Sequence, residues 1–453
     1  MTTTNTNLSG IRCLFVTLGC AKNEVDTDRM RALLLDAGAS ECYEVDEADV
    51  AIVNTCSFLA AATQESIETT LQIADQAKAG IGHLPIVMCG CMPSRYGSEL
   101  EAELPEVAAF VRADEEDGIQ SVVARVTGRA DADPQPLGNE VLRTIQGASA
   151  YVKISDGCDR FCAFCAIPYI RGRYWSREPE EIAREVHALM EGGVREIVLI
   201  GQDTGVWGCD LGDNLDLAWL LRRLAREVRP YGGWIRVLYL QPEGMTDSLV
   251  EVLRDVDEVL PYVDIPIQHC NERVLRSMRR TGSAQEFKEL FQRLRDQIPG
   301  MVLRSTGLVG YPGETETEFE ELVDFVDQVG FDYTSVFAYS QEEGTVAARL
   351  PQQIEEDEKV YRTQRLLDVA EQLGFAATAS HVGEVVDVII DGVEETDQGA
   401  ELVGHAWFQA PDCDGAVHIE SGEAAVGDKV RCRLVDSFCY ELVGIMLKDE
   451  QRG

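Results

Sequence analysis

Three cysteines lie close together near the middle of the chain, at the spacing Cys-x-x-x-Cys-x-x-Cys. The thiols of Cys158, Cys162 and Cys165 are ligands of the kind that bind zinc or an iron–sulfur cluster. The zinc alternative, a zinc knuckle, needs a fourth ligand, but no Cys or His follows at ligand spacing and Ile167-Pro168 comes directly after the set. The spacing therefore favours a 4Fe–4S cluster with one iron open to another molecule.

A second group of cysteines ends short apolar segments nearer the amino terminus. These segments, which we predict to be buried strands, are residues 14–20, 50–56 and 85–91. Helical periodicity between them predicts helices at residues 26–37 and 63–78. Alternating strands and helices form a parallel sheet, and ligands bind beyond the carboxyl ends of its strands. Cys20, Cys56 and Cys91 should therefore converge as a second three-thiolate site.

Three other cysteines of this region, Cys13, Cys42 and Cys89, do not end such a segment. We interpret them as structural, because a free cysteine is usually a small buried hydrophobe. Cys89 is the open case, since two residues from Cys91 on one strand it would share a face with it.

The two cysteine groups carry a family resemblance. The loop at residues 158–165 resembles that of the radical S-adenosylmethionine (SAM) enzymes, with Phe164 as the aromatic residue before the last cysteine. The amino-terminal segments resemble those of the methylthiotransferases: Thr-Leu-Gly-Cys-x-x-Asn at 17–23, Asn-Thr-Cys at 54–56 and Gly-Cys at 90–91. This resemblance covers nearly the whole chain.

The resemblance implies SAM and two 4Fe–4S clusters as cofactors. The cluster on Cys158, Cys162 and Cys165 would bind SAM and cleave it to a radical that abstracts hydrogen from the substrate. The second cluster would hold the sulfur to be transferred. Phe164 would stack near the adenine of SAM, and an electron donor of flavodoxin or ferredoxin type and a sulfur donor would be partners.

Composition limits the other possibilities. The 453 residues suffice for two to four domains, and 40 Lys and Arg against 79 Asp and Glu give a formal charge of −39. Such a field repels phosphate backbones, so nucleic acid is disfavoured as the principal substrate. The 14 cysteines and the absence of a signal segment lead us to expect a reducing cytoplasm. No apolar run reaches the roughly 20 residues that span a bilayer, so we expect no membrane partner.

The elements that position the central cysteines follow a Gly- and Pro-rich linker at residues 128–150, which separates a first domain, residues 1–127, from a second, residues 151–380. Six strands are predicted at 151–154, 196–201, 234–240, 263–267, 301–306 and 333–337. Helices are predicted at 179–190, 215–228, 247–256, 284–298, 317–329 and 355–377. Six strands are too few for a closed eight-stranded barrel, so we predict an open (β/α)6 partial barrel.

Polar residues after these strands are candidates for binding SAM. Gln202 and Asp203 follow the second strand and could bind its amino-acid end by hydrogen bonds. His269 follows the fourth strand, and a single histidine at such a position is more typical of a polar residue hydrogen-bonded within the protein than of a ligand. The Gly-rich turn at 310–314 is equally typical of a helix cap.

Short β segments follow at 385–390, 402–408, 416–419 and 430–435, and predict a small five-stranded barrel at residues 381–453. In position it resembles the TRAM domain that methylthiotransferases use to hold their substrate. From residue 382 onward it carries 16 acidic and 5 basic residues, the opposite of an RNA-binding groove. An acidic adaptation of the whole proteome is the alternative explanation.

The substrate is inferred from the same resemblance. Residues 155–168, 171–177 and 410–415 resemble the branch of the family that modifies ribosomal protein S12 at the β-carbon of an aspartate. From this interpretation we expect no direct tRNA binding. One alternative is methylthiolation of an adenosine in tRNA, and an alternative from another class is an iron–sulfur electron carrier or scaffold without turnover.

Overall fold

The chain folds into three successive units, and the computed structural model describes residues 8–129, 143–212, 215–396, 399–420 and 422–447. A five-stranded parallel sheet comes first, a six-stranded parallel sheet second and a closed five-stranded barrel last. The predicted fold class is therefore confirmed. Residues 130–142 of the predicted linker lie outside the described residues, and the predicted domain bounds stay predictions. None of the described helices combines the length and apolar character needed to cross a membrane.

The amino-terminal sheet has the strand order β2-β1-β3-β4-β5. Its strands are β1 (Arg12–Thr17), β2 (Ser40–Cys42), β3 (Val50–Thr55), β4 (Ile86–Gly90) and β5 (Val107–Arg112). Its helices are α1 (Ala21–Asp36), α2 (Ala60–Gly80), α3 (Cys91–Tyr96), α4 (Glu99–Glu103) and α5 (Ile119–Val126). Every residue of β3 is buried, because helices cover both faces of the sheet. The strands β1, β3 and β4 end before Cys20, Cys56 and Cys91, so each of these three thiols lies in the loop or helix start beyond a strand.

The central sheet has the order β13-β12-β11-β10-β9-β6 and carries a separate two-stranded ribbon, β7 with β8. Its strands are β6 (Ser149–Lys153), β7 (Ser155–Asp156), β8 (Trp175–Ser176), β9 (Glu196–Ile200), β10 (Trp234–Val237), β11 (Val259–Asp264), β12 (Val302–Val309) and β13 (Tyr333–Ala338). Its helices are α6 (Ile167–Ile170), α7 (Pro179–Glu191), α8 (Leu217–Val228), α9 (Asp247–Asp255), α10 (Glu272–Ser277), α11 (Ala284–Gln297), α12 (Glu316–Val329) and α13 (Glu356–Ser380).

Two predicted strands of this sheet were misplaced. The strand predicted at 263–267 is β11, which begins four residues earlier and ends at Asp264. Pro266 has no N–H to donate to a strand ladder, so the sheet ends before it. The strand predicted at 234–240 ends at Val237, because Tyr239 adopts a left-handed conformation with φ of 61°.

Alternate residues of the central strands face two different cores. Ile197 and Leu199 pack against the surrounding helices, whereas Val198 and Ile200 belong to the core that the carboxy-terminal barrel shares. This alternation follows from the two-residue period of a strand. The barrel therefore covers the face of the sheet opposite to the helices.

The carboxy-terminal barrel closes in the order β14-β15-β16-β18-β17. Its strands are β14 (Val385–Thr396), β15 (Gly399–Ala406), β16 (Val417–Ile419), β17 (Lys429–Phe438) and β18 (Glu441–Met446). All of its pairings are antiparallel except that of β16 with β18. The sequence indicated four of these strands; β18, which closes the barrel, is the fifth.

Candidate active site

The loop that carries Cys158, Cys162 and Cys165, called here the central thiol set, begins at a bend that only glycine accommodates. Gly157 has φ of 71°, and a Cβ there would lie 2.1 Å from the carbonyl oxygen of Arg173. Directly after it, the Cys158 N–H donates to the Gly172 carbonyl at 3.2 Å. The Cys165 N–H donates to the carbonyl of Cys162 at 3.1 Å, which closes a turn between the last two thiols. The backbone thus wraps the three side chains around one position.

The chemistry of this set fits an iron–sulfur cluster. Burial raises the pKa of Cys158, and it raises that of Cys165 to about 12, with the other thiols of the set adding to the effect. A metal that binds here must displace these protons, as it does at thiolate sites generally. Among the described residues, no three His, Cys, Asp or Glu side chains lie close enough together to hold a single metal ion. The thiolates that hold a cluster lie farther apart than the ligands of a single ion, because each of them binds a different iron.

Cys20, Cys56 and Cys91, called here the amino-terminal thiol set, come together beyond β1, β3 and β4. A Cβ on Gly19 would lie 2.5 Å from the Cβ of Cys56 and 3.0 Å from its Sγ, so the Cys20 loop rests directly on Cys56. Burial raises the pKa of Cys56, and that of Cys91 to about 11, and Cys20 adds to both shifts. These contacts place Cys20, Cys56 and Cys91 near one another, and their role as cluster ligands stays a prediction.

Two asparagines hold the loops of the amino-terminal thiol set in place. The Asn23 amide donates to the carbonyls of Leu18 at 2.8 Å and Thr55 at 3.0 Å, which joins the loops that follow β1 and β3. The Asn54 amide donates to the Asn23 carbonyl at 2.9 Å. A Cβ on Gly90 would lie 2.2 Å from the Asn54 Oδ1, so the loop before Cys91 is packed against the same group.

A buried network of charges joins the two thiol sets. Arg171 donates to Asn23 Oδ1 at 2.8 Å and to Asp26 at 2.7 Å. Lys153 binds Asp26 at 2.6 Å and Asp156 at 2.9 Å. Although burial opposes ionisation of Asp156, Lys153 and Arg171 hold its pKa below the ordinary range. The two units are therefore fixed to each other by α1 on one side and by β6, β7 and Arg171, which follows α6, on the other.

Apolar packing brings the two sets together at the same place. Cys91 forms a buried cluster with Ala166 and Ile170, and Ala166 directly follows Cys165 of the central thiol set. The start of α3 therefore rests on α6. The side chains of both sets line neighbouring parts of one junction between the amino-terminal and central units.

The SAM-site candidates retain unpaired polar atoms. Gln202 Nε2 donates to Asp156 at 2.9 Å, and Asp203 accepts from Arg160 Nε at 2.5 Å. Gln202 Oε1 and Asp203 Oδ1 are buried without a hydrogen-bond partner in the described part of the chain. Burial raises the pKa of Asp203, although Arg160 opposes the shift. Buried polar atoms normally have a partner, so these two fit a ligand with donor groups.

The other candidates lie in different surroundings. Phe164 is half-buried and packs beside Ala163 and Tyr311, within the loop of the central thiol set. His269 Nδ1 accepts from two backbone N–H groups at 3.0 Å, and its Nε2 lies 3.1 Å from Glu314, so the ring is fully satisfied. The turn at 310–314 leads into α12, where Thr315 and Glu318 form a capping box.

The barrel is fastened to the central sheet by buried polar contacts. Asp414, in the segment 410–415, accepts from Tyr262 Oη at 2.5 Å and binds Arg304. His405 Nε2 lies 3.1 Å from Glu196 on β9, and its Nδ1 lies 2.6 Å from Asp391. The segment 410–415, which resembles the family in sequence, thus attaches the barrel to the central sheet through Asp414.

A cavity of about 770 Å³ opens where α1, the segment before β6 and the barrel meet. Acidic side chains from α1 and the barrel line it, among them Glu24, Asp28, Asp412 and Glu441, while Arg31 and Arg143 supply positive charge. Arg31 and Arg143 are both ion-paired with Asp28, so acidic groups dominate the remaining wall.

Sequence reasoning missed the residues that join the units. Asn23 lies in the family motif at 17–23, and Arg171 begins the family segment at 171–177. Nothing in the sequence indicated that these two residues contact each other. Lys153 and Asp26 carried no signal, because their partners are brought close only by the tertiary fold.

Three family models match the chain. The model described as "Uncharacterized protein family UPF0004" matches residues 12–112, "Radical SAM superfamily" matches 152–326 and "TRAM domain" matches 382–447. The first covers the amino-terminal sheet, the second covers most of the central sheet and the third covers the barrel.

Relatives and solved structures agree with this order. A ribosomal protein uS12 methylthiotransferase RimO from Trichlorobacter lovleyi is 39% identical over 98% of this chain and 100% of its own length. One from Geotalea uraniireducens is 40% identical over 95% and 97%. The radical SAM methyltransferase TsrM from Kitasatospora setae has a TM-score of 0.54 at 14% identity, over 73% of this chain and 72% of its own. That likeness concerns the fold alone.

Proposed function

Because this chain belongs to the radical SAM methylthiotransferase family, we propose that it inserts sulfur and a methyl group at the β-carbon of an aspartate of ribosomal protein uS12. Relatives that carry the uS12 methylthiotransferase name match nearly its whole length at 39% and 40% identity. The observation that carries the proposal is the junction at which Cys91 packs on Ala166, next to Cys165. Sulfur insertion needs a sulfur source beside the site of C–H cleavage, and this junction supports such a pairing.

The family implies SAM and one 4Fe–4S cluster, and we assign that cluster to Cys158, Cys162 and Cys165. When bound, these groups supply the one-electron chemistry that breaks an unactivated C–H bond, which side-chain acids and bases cannot break. Gln202 and Asp203 would accept hydrogen bonds from SAM through their unpaired oxygens, and Phe164 would stack near its adenine.

We further propose a second 4Fe–4S cluster on Cys20, Cys56 and Cys91, which would carry the sulfur to be inserted. Asn23 and Asn54 hold the three loops in one arrangement, and Arg171 fixes that arrangement to the central unit. The chain's own part in the reaction is therefore to hold the substrate carbon between the two sites and to exclude water. A flavodoxin- or ferredoxin-like electron donor and a sulfur donor would complete the reaction.

The charge of the chain favours the protein substrate over the tRNA alternative. The barrel has 16 acidic and 5 basic residues, and acidic groups line the cavity beside it. Such a surface attracts a Lys- and Arg-rich ribosomal protein and repels a polyphosphate. An electron carrier or scaffold would have no use for the open oxygens of Gln202 and Asp203.

The experiment that tests this function supplies anaerobically reconstituted protein with SAM, a reductant and either purified uS12 or tRNA. Mass spectrometry should find a methylthio group on an aspartate of uS12 and none on tRNA. Formation of 5′-deoxyadenosine distinguishes an enzyme from an electron carrier. Methylthiolated adenosine with unmodified uS12 would refute the substrate assignment.

A further inference from the structure

Lys22 lies two residues after Cys20 and places its ammonium 3.4 Å from the centre of the Tyr239 ring. Lys22 is on the first turn of α1, and Tyr239 follows β10 of the central sheet, so the contact crosses the junction between the two units. The Lys22 side chain is half-buried, and within the described residues its ammonium has no ion pair and no hydrogen bond to the protein.

The other cations near this junction are already neutralised. Lys153 binds Asp26 and Asp156, and Arg171 binds Asp26 and lies 3.5 Å from Asp156. Arg304 likewise binds Asp414 and lies 3.8 Å from Asp264. Lys22 differs from these cations, because no carboxylate of the described residues lies within ion-pair distance of its ammonium. Of the two nearest acidic groups, Asp156 is bound by Lys153, and Asp264 lies 3.8 Å from Arg304 and has one oxygen without a hydrogen-bond partner.

The tyrosine fixes the ammonium without using up its donors. A cation over an aromatic face is attracted by the ring quadrupole, and an ammonium has three N–H donors. Tyr239 is itself held in place, since its backbone N–H donates to Asp264 at 3.1 Å and its φ is 61°. Donors of Lys22 thus remain for a ligand that enters beside the exposed Cys20.

A carboxylate is the ligand that matches this arrangement. A half-buried ammonium is stabilised by an anion, and a charge-assisted hydrogen bond is the strong form of that contact. In a chain with 79 acidic residues, a free ammonium beside a thiol set is a specific feature and does not follow from composition. A bound carboxylate would place the carbon next to it at the same junction as the two thiol sets.

We propose that Lys22, held over Tyr239, binds the side-chain carboxylate of the substrate aspartate and so orients its β-carbon. This inference rests on the proposed function, because it assigns the group that recognises the target residue. Lys22 would also reject asparagine, which has no charge to offer, so it would determine specificity as well as position.

The test is a double-mutant cycle on the binding of purified uS12 to the holoenzyme with SAM bound. The enzyme variants are Lys22→Met and Lys22→Arg, and the uS12 variant carries Asn in place of the target aspartate. Lys22→Met should weaken binding of wild-type uS12 about 10- to 100-fold, the effect of losing a hydrogen bond between charged groups. It should leave binding of the Asn variant nearly unchanged, while Lys22→Arg should keep much of the wild-type affinity.

Each outcome decides the matter. Equal losses for both forms of uS12, or no loss for either, would overturn the inference. If Lys22→Met fails to hold iron, the wild-type enzyme still provides the answer, because it must then bind the Asn variant at least about 10-fold more weakly than uS12 itself. Lys78→Met, at an exposed lysine of α2, is the matched control and should bind both forms normally. If the wild-type enzyme does not modify uS12 at all, the proposed function is refuted. This result differs from a failure of the Lys22 contact, in which wild-type enzyme still modifies uS12.

Discussion

The guanidinium of Arg171 donates a hydrogen bond of 2.8 Å to the side-chain oxygen of Asn23. Asn23 in turn holds the loops of the amino-terminal thiol set, and Arg171 follows the central thiol set by six residues. This contact therefore couples the positions of the two sets. In the proposed function, sulfur transfer would depend on that coupling, whereas cleavage of SAM would require only the central set.

The first prediction concerns this contact. Arg171→Met should lower methylthiolation of uS12 at least about tenfold, because it removes charge-assisted hydrogen bonds to a buried oxygen and a buried carboxylate. Production of 5′-deoxyadenosine should fall much less. Arg173→Met is the control, because Arg173 is 74% exposed, with an ion pair to the exposed Asp159 and a contact with the Phe161 ring. Equal loss of both products in Arg171→Met would contradict the coupling.

The second prediction concerns the number of clusters. The triple variant Cys20→Ala, Cys56→Ala, Cys91→Ala should reduce the iron of anaerobically reconstituted protein from about eight to about four atoms per chain, since one 4Fe–4S cluster is lost. Cys89→Ala is the matched control: Cys89 lies in the core with Val87 and Val111, so it should retain all of the iron. Unchanged iron in the triple variant would show that the amino-terminal assignment is wrong.

The third prediction separates the two thiol sets by function. Cys162→Ala should abolish 5′-deoxyadenosine formation, because the central set is the one assigned to SAM. Cys56→Ala should retain part of that activity and lose methylthiolation of uS12. Chromatography of the nucleoside and mass spectrometry of uS12 measure the two products in one reaction. A reversed pattern, with SAM cleavage lost only in Cys56→Ala, would exchange the two assignments.

The fold class and the grouping of the cysteines could be predicted from the sequence because their signals are local, whereas the ligand role of the cysteines stays a prediction. The spacing of Cys158, Cys162 and Cys165 lies within one loop, and Cys20, Cys56 and Cys91 follow apolar runs at the ends of parallel strands. The order of strands and helices follows from the same periodicity. Two strand ends moved, where a proline or a left-handed residue broke the ladder, and the strands β2, β5, β7, β8 and β18 were not predicted.

The contacts between units could not be predicted because nothing in a local pattern encodes them. Lys22 and Tyr239 are separated by more than two hundred residues, and both have ordinary neighbours in the sequence. The same holds for Asp26 with Arg171. These pairs form because α1 packs against the central unit. That packing is a tertiary contact, and local sequence patterns do not show it.

The fourth prediction concerns the pH dependence of stability that comes from His405, which joins the barrel to the central sheet. Although burial alone lowers the pKa of His405, the carboxylates of Glu196 and Asp391 raise it to about 9. Glu196 also binds Arg236 at 2.7 Å, and the positive charge of Arg236 stays constant over this pH range. Because the pKa is raised in the folded state, the contribution of His405 to stability is full below about pH 6.5. It is lost as the pH rises through 9.

Urea unfolding of the wild type and His405→Gln between pH 6 and 9.5 measures this effect. The variant should be less stable at pH 6 by about 1–3 kcal/mol, and the difference should shrink towards pH 9.5. His187→Gln is the control, because His187 is 53% exposed and its contact with Glu227 should contribute little. A difference that stays constant over this range would show that His405 acts by packing alone.

The fifth prediction concerns the class of substrate. A chain with a charge of −39 gains Coulomb energy when it approaches a Lys- and Arg-rich protein and loses it when it approaches tRNA. Binding of uS12 should therefore weaken as salt rises towards 0.1 M, where the Debye length falls to about 10 Å, and tRNA should not bind in the same buffers. Measurable tRNA binding that is lost with salt would show that a local basic groove overrides the net charge.

A pair of matched variants distinguishes a local role of the barrel from the effect of overall charge. Glu394→Gln with Glu395→Gln removes two exposed charges from β14, and Glu99→Gln with Glu101→Gln removes two from α4. If the barrel contacts uS12, the first pair should slow association at low salt more than the second, because charges at an interface act mainly on the association rate. Equal effects would mean that the acidity of the barrel reflects the composition of the whole chain, and the preference for uS12 would then depend on the active site alone.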